Sequence, residues 1–222
     1  MKNIISVSIM CSDLMNLGAD INRLEELGVD WLHVDIMDAH FVPNLAFGTG
    51  TINALHNWTK MPLDIHMMVT DPELVLQRFE LRAGDSVTVH VELDRDFEEL
   101  SKSIRSQGCR FGLAVNPDTP VEALERHSGL FDSVTLMLVY PGYAGAKLVD
   151  GILDKVAVLR KWLDKKGMSE VLINVDGSVS VERAALMASM GANIFVGGTA
   201  GIYRKGMDLD DTIPAFRKAI TI

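Results

Sequence analysis

The sequence predicts a single (β/α)8 TIM barrel spanning residues 1–222. Three observations carry this. Eight short apolar runs alternate with amphipathic stretches at roughly 20–30 residues per unit, the rhythm of a closed parallel sheet wrapped in helices. The first run leads into Met10-Cys11-Ser12-Asp13 with no glycine before Gly18, so the glycine-rich turn of a nucleotide-binding doubly wound sheet is missing. No low-complexity segment or linker divides the 222 residues, and a domain of that size buries roughly 70–75% of its unfolded surface.

Strands are expected at 4–9, 31–36, 63–68, 86–92, 111–116, 133–139, 171–176 and 193–196. Each is bounded by turn residues and most are too short for a helix. Between them, helical patterns run over 16–27, 72–83, 97–107, 148–165 and 181–190. Asp71 before Pro72 is a good N-cap followed by a good first-turn proline, with Leu74, Val75, Phe79 and Ala83 at helical spacing. Gly28, Gly84, Gly108, Gly167 and Gly191 each follow a helical pattern and fit C-terminal caps. The segment 208–222, with Ile213, Phe216 and Ile220 at helical spacing, reads either as the last barrel helix or as part of an interface.

Composition excludes several classes of function. Net charge is −9 and no lysine- or arginine-rich run occurs, which argues against nucleic-acid binding driven by phosphate neutralisation. No stretch approaches the ~20 apolar residues that span a bilayer, and residues 1–5 lead straight into a strand without a secretory signal. Cys11 and Cys109 are two isolated thiols, read as buried and free. These features predict a cytoplasmic, reduced protein with no membrane partner.

Barrel active sites form at the C-terminal ends of the strands, and residues two apart on a strand share a face. His33 and Asp35 on the second strand, Asp64 and His66 on the third, and Asn174 and Asp176 on the seventh all meet that test. Any one such pair is commonly structural. Several pairs near one rim form a divalent-metal set whose mixed imidazole and carboxylate character suits zinc, iron, manganese or cobalt alike. His90 and Glu92 on the fourth strand are a rival pair, read as lining or as support behind the ligands.

Glycine supplies a second signal. Pro141-Gly142-Tyr143-Ala144-Gly145, Asp176-Gly177-Ser178 and Gly197-Gly198-Thr199 follow the last three strands. Taken singly, each is a tight turn. Together, they point to backbone N–H groups gripping a phosphate, a site barrels often place after strands seven and eight. The absence of a Walker lysine motif favours a sugar phosphate over a nucleoside triphosphate. Met37, Met68 and Met137 near strand ends are either core filling or a soft apolar wall over a reacting carbon.

Ser8-Ile9-Met10, then His33-Val34-Asp35-Ile36-Met37-Asp38 running into Phe41-Val42-Pro43-Asn44, resemble the ribulose-phosphate 3-epimerase family. So do Asp64-Ile65-His66-Met67-Met68-Val69, Asn116-Pro117-Asp118-Thr119-Pro120, Pro141-Gly142-Tyr143-Ala144-Gly145 and Val175-Asp176-Gly177. The blocks occur in family order from Ser8 to about Ala200. The resemblance implies a barrel of the ribulose-phosphate-binding type that inverts C3 of a ketose phosphate with one divalent metal ion per subunit. It implies His33, Asp35, His66 and Asp176 as metal ligands, with Asp35 and Asp176 also the acid/base pair. Ser8 and His66 would contact the substrate, Met37, Met68 and Met137 would cap the reacting carbon, and Gly142, Gly145, Gly177, Ser178, Gly198 and Thr199 would hold the phosphate. It also implies a homo-oligomer.

Departures from the family pattern bear on the substrate. Ala39 stands where the family usually has glycine, Tyr140 where it has asparagine or aspartate, and Ala144-Gly145-Ala146 where it ends in glycine-glycine-glutamine. Asp176-Gly177-Ser178 and Gly197-Gly198-Thr199 are closer to the allulose-6-phosphate 3-epimerase branch. Tyr140 is expected near the site. The first expectation is epimerisation of ribulose 5-phosphate to xylulose 5-phosphate. The alternatives are a hexulose 6-phosphate substrate, or a sugar-phosphate-binding protein without turnover. Met37 fills the lysine position of the related Asp-x-Lys-x-x-Asp decarboxylases, which counts against that reaction.

Overall fold

The computed structural model describes residues 2–221. Eight parallel strands close a barrel in chain order: β1 (Ile4–Ser8), β2 (Trp31–Met37), β3 (Leu63–Met68), β4 (Ser86–His90), β5 (Arg110–Val115), β6 (Ser133–Met137), β7 (Leu172–Asp176) and β8 (Ile194–Gly197). The expected (β/α)8 barrel is the observed fold. Every strand lies within two residues of its sequence expectation. β1 closes the ring by pairing with both β2 and β8.

The helices are α1 (Leu17–Glu26), α2 (Thr49–Trp58), α3 (Pro72–Leu76), α4 (Glu98–Ser106), α5 (Asp154–Lys165), α6 (Val181–Ser189) and α7 (Leu209–Ala219), with the 3-10 segment Val121–His127 following β5. Three of these differ from the sequence reading. α2 lies outside the helical patterns of the sequence: Gly48 precedes it, Gly50 sits inside it, and only Ile52 and Leu55 are buried. α3 begins as expected, with the Asp71 carboxylate accepting from the Leu74 N–H at 3.0 Å, but stops at Leu76 instead of running to residue 83. Arg82 instead bonds the carbonyls of Thr59 and Met61 at 2.8 and 2.6 Å, and its own N–H reaches Asp85. α5 starts six residues later than the expected 148, because Gly151 turns the chain at φ +74°. Gly84, read as a helix cap, accordingly lies in the turn before β4.

The C-terminal segment is the last barrel helix. Ile213, Phe216 and Ile220 of that segment are all buried in the main core, while Ile222 lies outside the described residues.

Strand alternation divides the core in two. Ile5, Val7, Leu32, Val34, Ile36, Leu63, Ile65 and Met67 belong to one apolar shell between strands and helices. The intervening residues face the lumen and are polar to an unusual degree: Ser6, Ser8, His33, Asp35, Asp64, His66, Thr88, His90, Thr135 and Asn174 are all buried. Most of the apolar burial that drives folding is therefore outside the ring, and the lumen is free to carry chemistry.

Candidate metal centre and phosphate pocket

Neighbouring registers bring the lumen residues of β2, β3 and β7 to one level. Asp35 sits opposite His66 and His33 opposite Asp64, while Met137 on β6 faces Asp176. One donor atom each from His33, Asp35, His66 and Asp176 lies within 4.8 Å of all the others. His33 Nε2 is 3.3 Å from Asp35 Oδ1 and 3.7 Å from Asp176 Oδ2. His66 Nδ1 is 3.3 and 3.5 Å from the same two oxygens. Ligands about 2.0–2.2 Å from one tetrahedral centre would stand roughly 3.3–3.6 Å apart, and these four imidazole–carboxylate separations are close to that spacing.

The neighbours decide which nitrogen faces the cluster. Asp64 Oδ2 lies 2.8 Å from His33 Nδ1, and also accepts from Ser6 Oγ at 3.0 Å and Asn174 Nδ2 at 3.2 Å. Asp64 and Asn174, candidate ligands by strand position, thus sit behind His33 and hold it. His66 Nδ1 is buried with no hydrogen-bond partner, an orphaned polar atom of the kind a metal ion would satisfy. Its other nitrogen lies 2.9 Å from His90 Nε2, and His90 Nδ1 lies 3.0 Å from Glu92 Oε2. The donor set fits a divalent transition metal.

The two carboxylates are driven apart. Burial alone would raise both. At Asp35, the adjacent His33 outweighs burial and holds the carboxyl well below the usual range. At Asp176, burial and the facing Asp35 prevail over the pull of His33 and raise it. Burial opposes charge on His33, yet Asp35 and Asp64 raise its imidazole well above its ordinary value, so a proton and a cation compete for Nε2.

In front of the cluster is a cavity lined by Ser8, Asp35, Met37, Met137 and Asp176 from the strands, and the Ser8 hydroxyl donates to Asp35 Oδ2 at 3.3 Å. Gly142, Gly145, Gly177, Ser178, Gly198 and Thr199, from the loops that follow the last three strands, line the same cavity. His33, His66 and Met68 do not reach the cavity surface; Met68 packs behind Met37 and Val42. Gly177 is required by space as well as by φ +105°, since a Cβ would meet Val139 Cγ2 at 2.5 Å.

Some residues depart from the sequence reading or escape it. Tyr140 is turned away from the cavity: it is 55% exposed and its hydroxyl donates to Asp118 Oδ2 at 2.6 Å. Cys11 is only half-buried and lines the cavity beside Gly198, whereas Cys109 is buried as expected. Arg183 Nη1 donates to the Ser178 carbonyl at 2.7 Å and to Ser178 Oγ at 2.8 Å, pinning a non-glycine residue at φ +52°. No spacing in the sequence signals that contact.

Comparison with known proteins bears on this arrangement. The ribulose-phosphate 3 epimerase family model matches residues 4–202. The chain belongs to the ribulose-phosphate 3-epimerase family. One relative, the ribulose-phosphate 3-epimerase of Bacillus subtilis (strain 168), is 36% identical over 196 residues, covering 88% of this chain and 90% of its own length. Another is the cytoplasmic isoform of ribulose-phosphate 3-epimerase from Oryza sativa subsp. japonica, 37% identical and covering 97% of this chain and 93% of its own. Among solved structures, 3-hexulose-6-phosphate synthase from Salmonella typhimurium superposes with a TM-score of 0.66 at 15% identity, covering 99% of this chain and 98% of its own. That likeness speaks for the barrel alone. The epimerase-family relatives are named for an isomerase, and this family member is an enzyme of that type. Among the described residues, no helix is long and apolar enough to cross a membrane.

Proposed function

We propose that this family member is a metal-dependent ketose-phosphate 3-epimerase interconverting ribulose 5-phosphate and xylulose 5-phosphate. The observation that carries the reading is one pair. Asp35 and Asp176 share the histidine cluster, are pushed to opposite protonation tendencies, and line one cavity together with glycine-rich loops.

His33, Asp35, His66 and Asp176 would hold the cation. When bound, it would supply positive charge beside the carbonyl and hydroxyl oxygens of the substrate, favouring the enediolate by several kcal/mol. Backbone N–H groups of the Gly142–Gly145, Gly177–Ser178 and Gly198–Thr199 loops would bind the phosphate and thereby set the distance of C3 from the carboxylates.

Ionised Asp35 takes the C3 proton, and the C–H electron pair moves into the C2–C3 bond as negative charge grows on the C2 oxygen. Protonated Asp176 returns a proton to C3 from the opposite face, inverting the centre. The reverse reaction exchanges the two roles. Effective acid/base catalysis requires two such groups in different protonation states. Ser8 orients Asp35 through its hydroxyl, and Met37 and Met137 keep water from the carbanionic carbon. A cytoplasmic homo-oligomer belongs to the same proposal; a monomeric mass by light scattering removes the oligomer.

The deciding experiment is solvent deuterium incorporation at C3, comparing ribulose 5-phosphate with allulose 6-phosphate. Faster exchange with the pentulose is the expected result. Faster exchange with the hexulose transfers the chain to the branch that Asp176-Gly177-Ser178 resembles, and binding without exchange makes it a sugar-phosphate-binding protein.

A further inference from the structure

We infer that Glu92 and His90 form a positioning relay that fixes His66 with its Nδ1 lone pair aimed at the cation site. The inference rests on the metal-centre reading above. It begins with an ambiguity, because two imidazole nitrogens 2.9 Å apart, His66 Nε2 and His90 Nε2, require one to donate and one to accept.

Glu92 resolves the direction. Its Oε1 accepts the Asn116 N–H at 2.8 Å, and its Oε2 lies 3.0 Å from His90 Nδ1. A carboxylate accepting on both oxygens requires hydrogen on His90 Nδ1, which leaves His90 Nε2 bare. His66 must then carry its hydrogen on Nε2, and Nδ1, orphaned among the carboxylates, is left bare. The opposite tautomer would aim an N–H at the cation and remove one of four donors.

The relay is also rigid. Both imidazoles are fully buried, and their rings stack 5.0 Å apart at 25°. Phe41 packs on the His90 ring at 4.6 Å. The Asn116 segment that holds Glu92 is itself clamped from α5, where Lys155 Nζ donates to the carbonyls of Asn116, Pro117 and Thr119 at 2.8, 3.0 and 2.6 Å. A line of contacts thus runs from an outer helix to one metal ligand without touching the substrate cavity.

The test reads tautomer and metal affinity, neither of which needs turnover. In full-length wild-type protein labelled with 15N-histidine, long-range 1H–15N correlation should show hydrogen on His66 Nε2 and His90 Nδ1, with only His66 Nδ1 shifting on Zn2+ addition among these four nitrogens. Co2+ titration followed by its d–d absorption should show Glu92→Ala and His90→Leu weakened by about 10–100-fold. His90→Gln should retain most of the affinity, because its amide oxygen accepts from His66 while its NH2 donates to Glu92. A purely structural role would make His90→Gln and His90→Leu alike. Hydrogen on His66 Nδ1 in the wild-type protein overturns the relay whatever the variants do. So does unchanged Co2+ affinity in folded Glu92→Ala and His90→Leu. Failure of the metal-centre reading looks different: wild-type protein would take up no Co2+ at all, removing the relay's purpose with it.

Discussion

Asn44 Nδ2 donates a 2.6 Å hydrogen bond to the carbonyl of Gly142, joining the loop after β2 to the loop after β6 beside the cavity that Gly142 lines. Tyr143 adds a second tie, its hydroxyl donating to the Pro43 carbonyl at 2.8 Å. These two bonds tie the loop after β2 to the loop after β6. A neutral hydrogen bond contributes about 1 kcal/mol, so Asn44→Ala should raise KM for the sugar phosphate about fivefold, and Tyr143→Phe should add a similar step. Steady-state kinetics showing wild-type KM in both variants would remove the loop tie from the account.

Asp176→Asn keeps the shape of the side chain and removes its acid/base capacity. The expected loss in kcat is about 10²–10⁴-fold, the usual contribution of a positioned acid or base. Circular dichroism should show an intact barrel. Turnover within a few-fold of wild type would assign the second proton transfer to another group.

Ala39 occupies the left-handed region at φ +60°, with its N–H bonded to the Asn44 carbonyl at 3.1 Å. An alanine there costs roughly 1–2 kcal/mol, and the extra freedom of glycine in the unfolded chain returns roughly 0.4–1 of that. Ala39→Gly should therefore stabilise the protein by about 1 kcal/mol, a rise of about 2–4 °C in melting temperature for a chain of this size. A lower melting temperature would show that the Asp38–His40 turn does not strain its alanine.

The Asp38 carboxylate accepts from the N–H groups of His40, Phe41 and Thr70 and from the Thr70 hydroxyl, all within 2.8 Å. Those donors overcome partial burial and hold its carboxyl at about 2, below the ordinary 3.8. A depressed acid stabilises the fold at pH values above its unfolded value, and that contribution is lost as pH falls through the folded one. Melting temperature should accordingly drop between about pH 4 and pH 2, and Asp38→Asn should flatten that part of the profile. Identical profiles for the two proteins would count against the assignment.

Much of this arrangement is legible in the sequence. β3 occupies residues 63–68 as read, because a fully apolar outer face alternating with Asp64 and His66 admits one register. The same period-two logic exposes His33, Asp35 and Asp176, because several such pairs near one rim point to a shared site where any one pair alone is commonly structural. What escaped depends on contacts distant in the chain or on loops. Asp64 and His66 looked equivalent in the sequence, and only the three-dimensional neighbours Ser6 and Asn174 show that Asp64 serves His33. Tyr140 looked like an intrusion on the site, yet its partner Asp118 draws it outward. Arg183 pinning Ser178 left no periodic trace, and α2 was hidden by glycines that tertiary packing of Ile52 and Leu55 overrides.

The division between apolar shell and polar lumen has a consequence for how such a barrel can change. Along β2, Leu32, Val34 and Ile36 belong to the outer packing, whereas His33 and Asp35 face the lumen and belong to the candidate site. Adjacent letters of one strand thus answer to separate demands. A lineage can rewrite its reaction at every second position while the intervening positions keep the scaffold standing, so novelty and heat tolerance need not compete for the same residues.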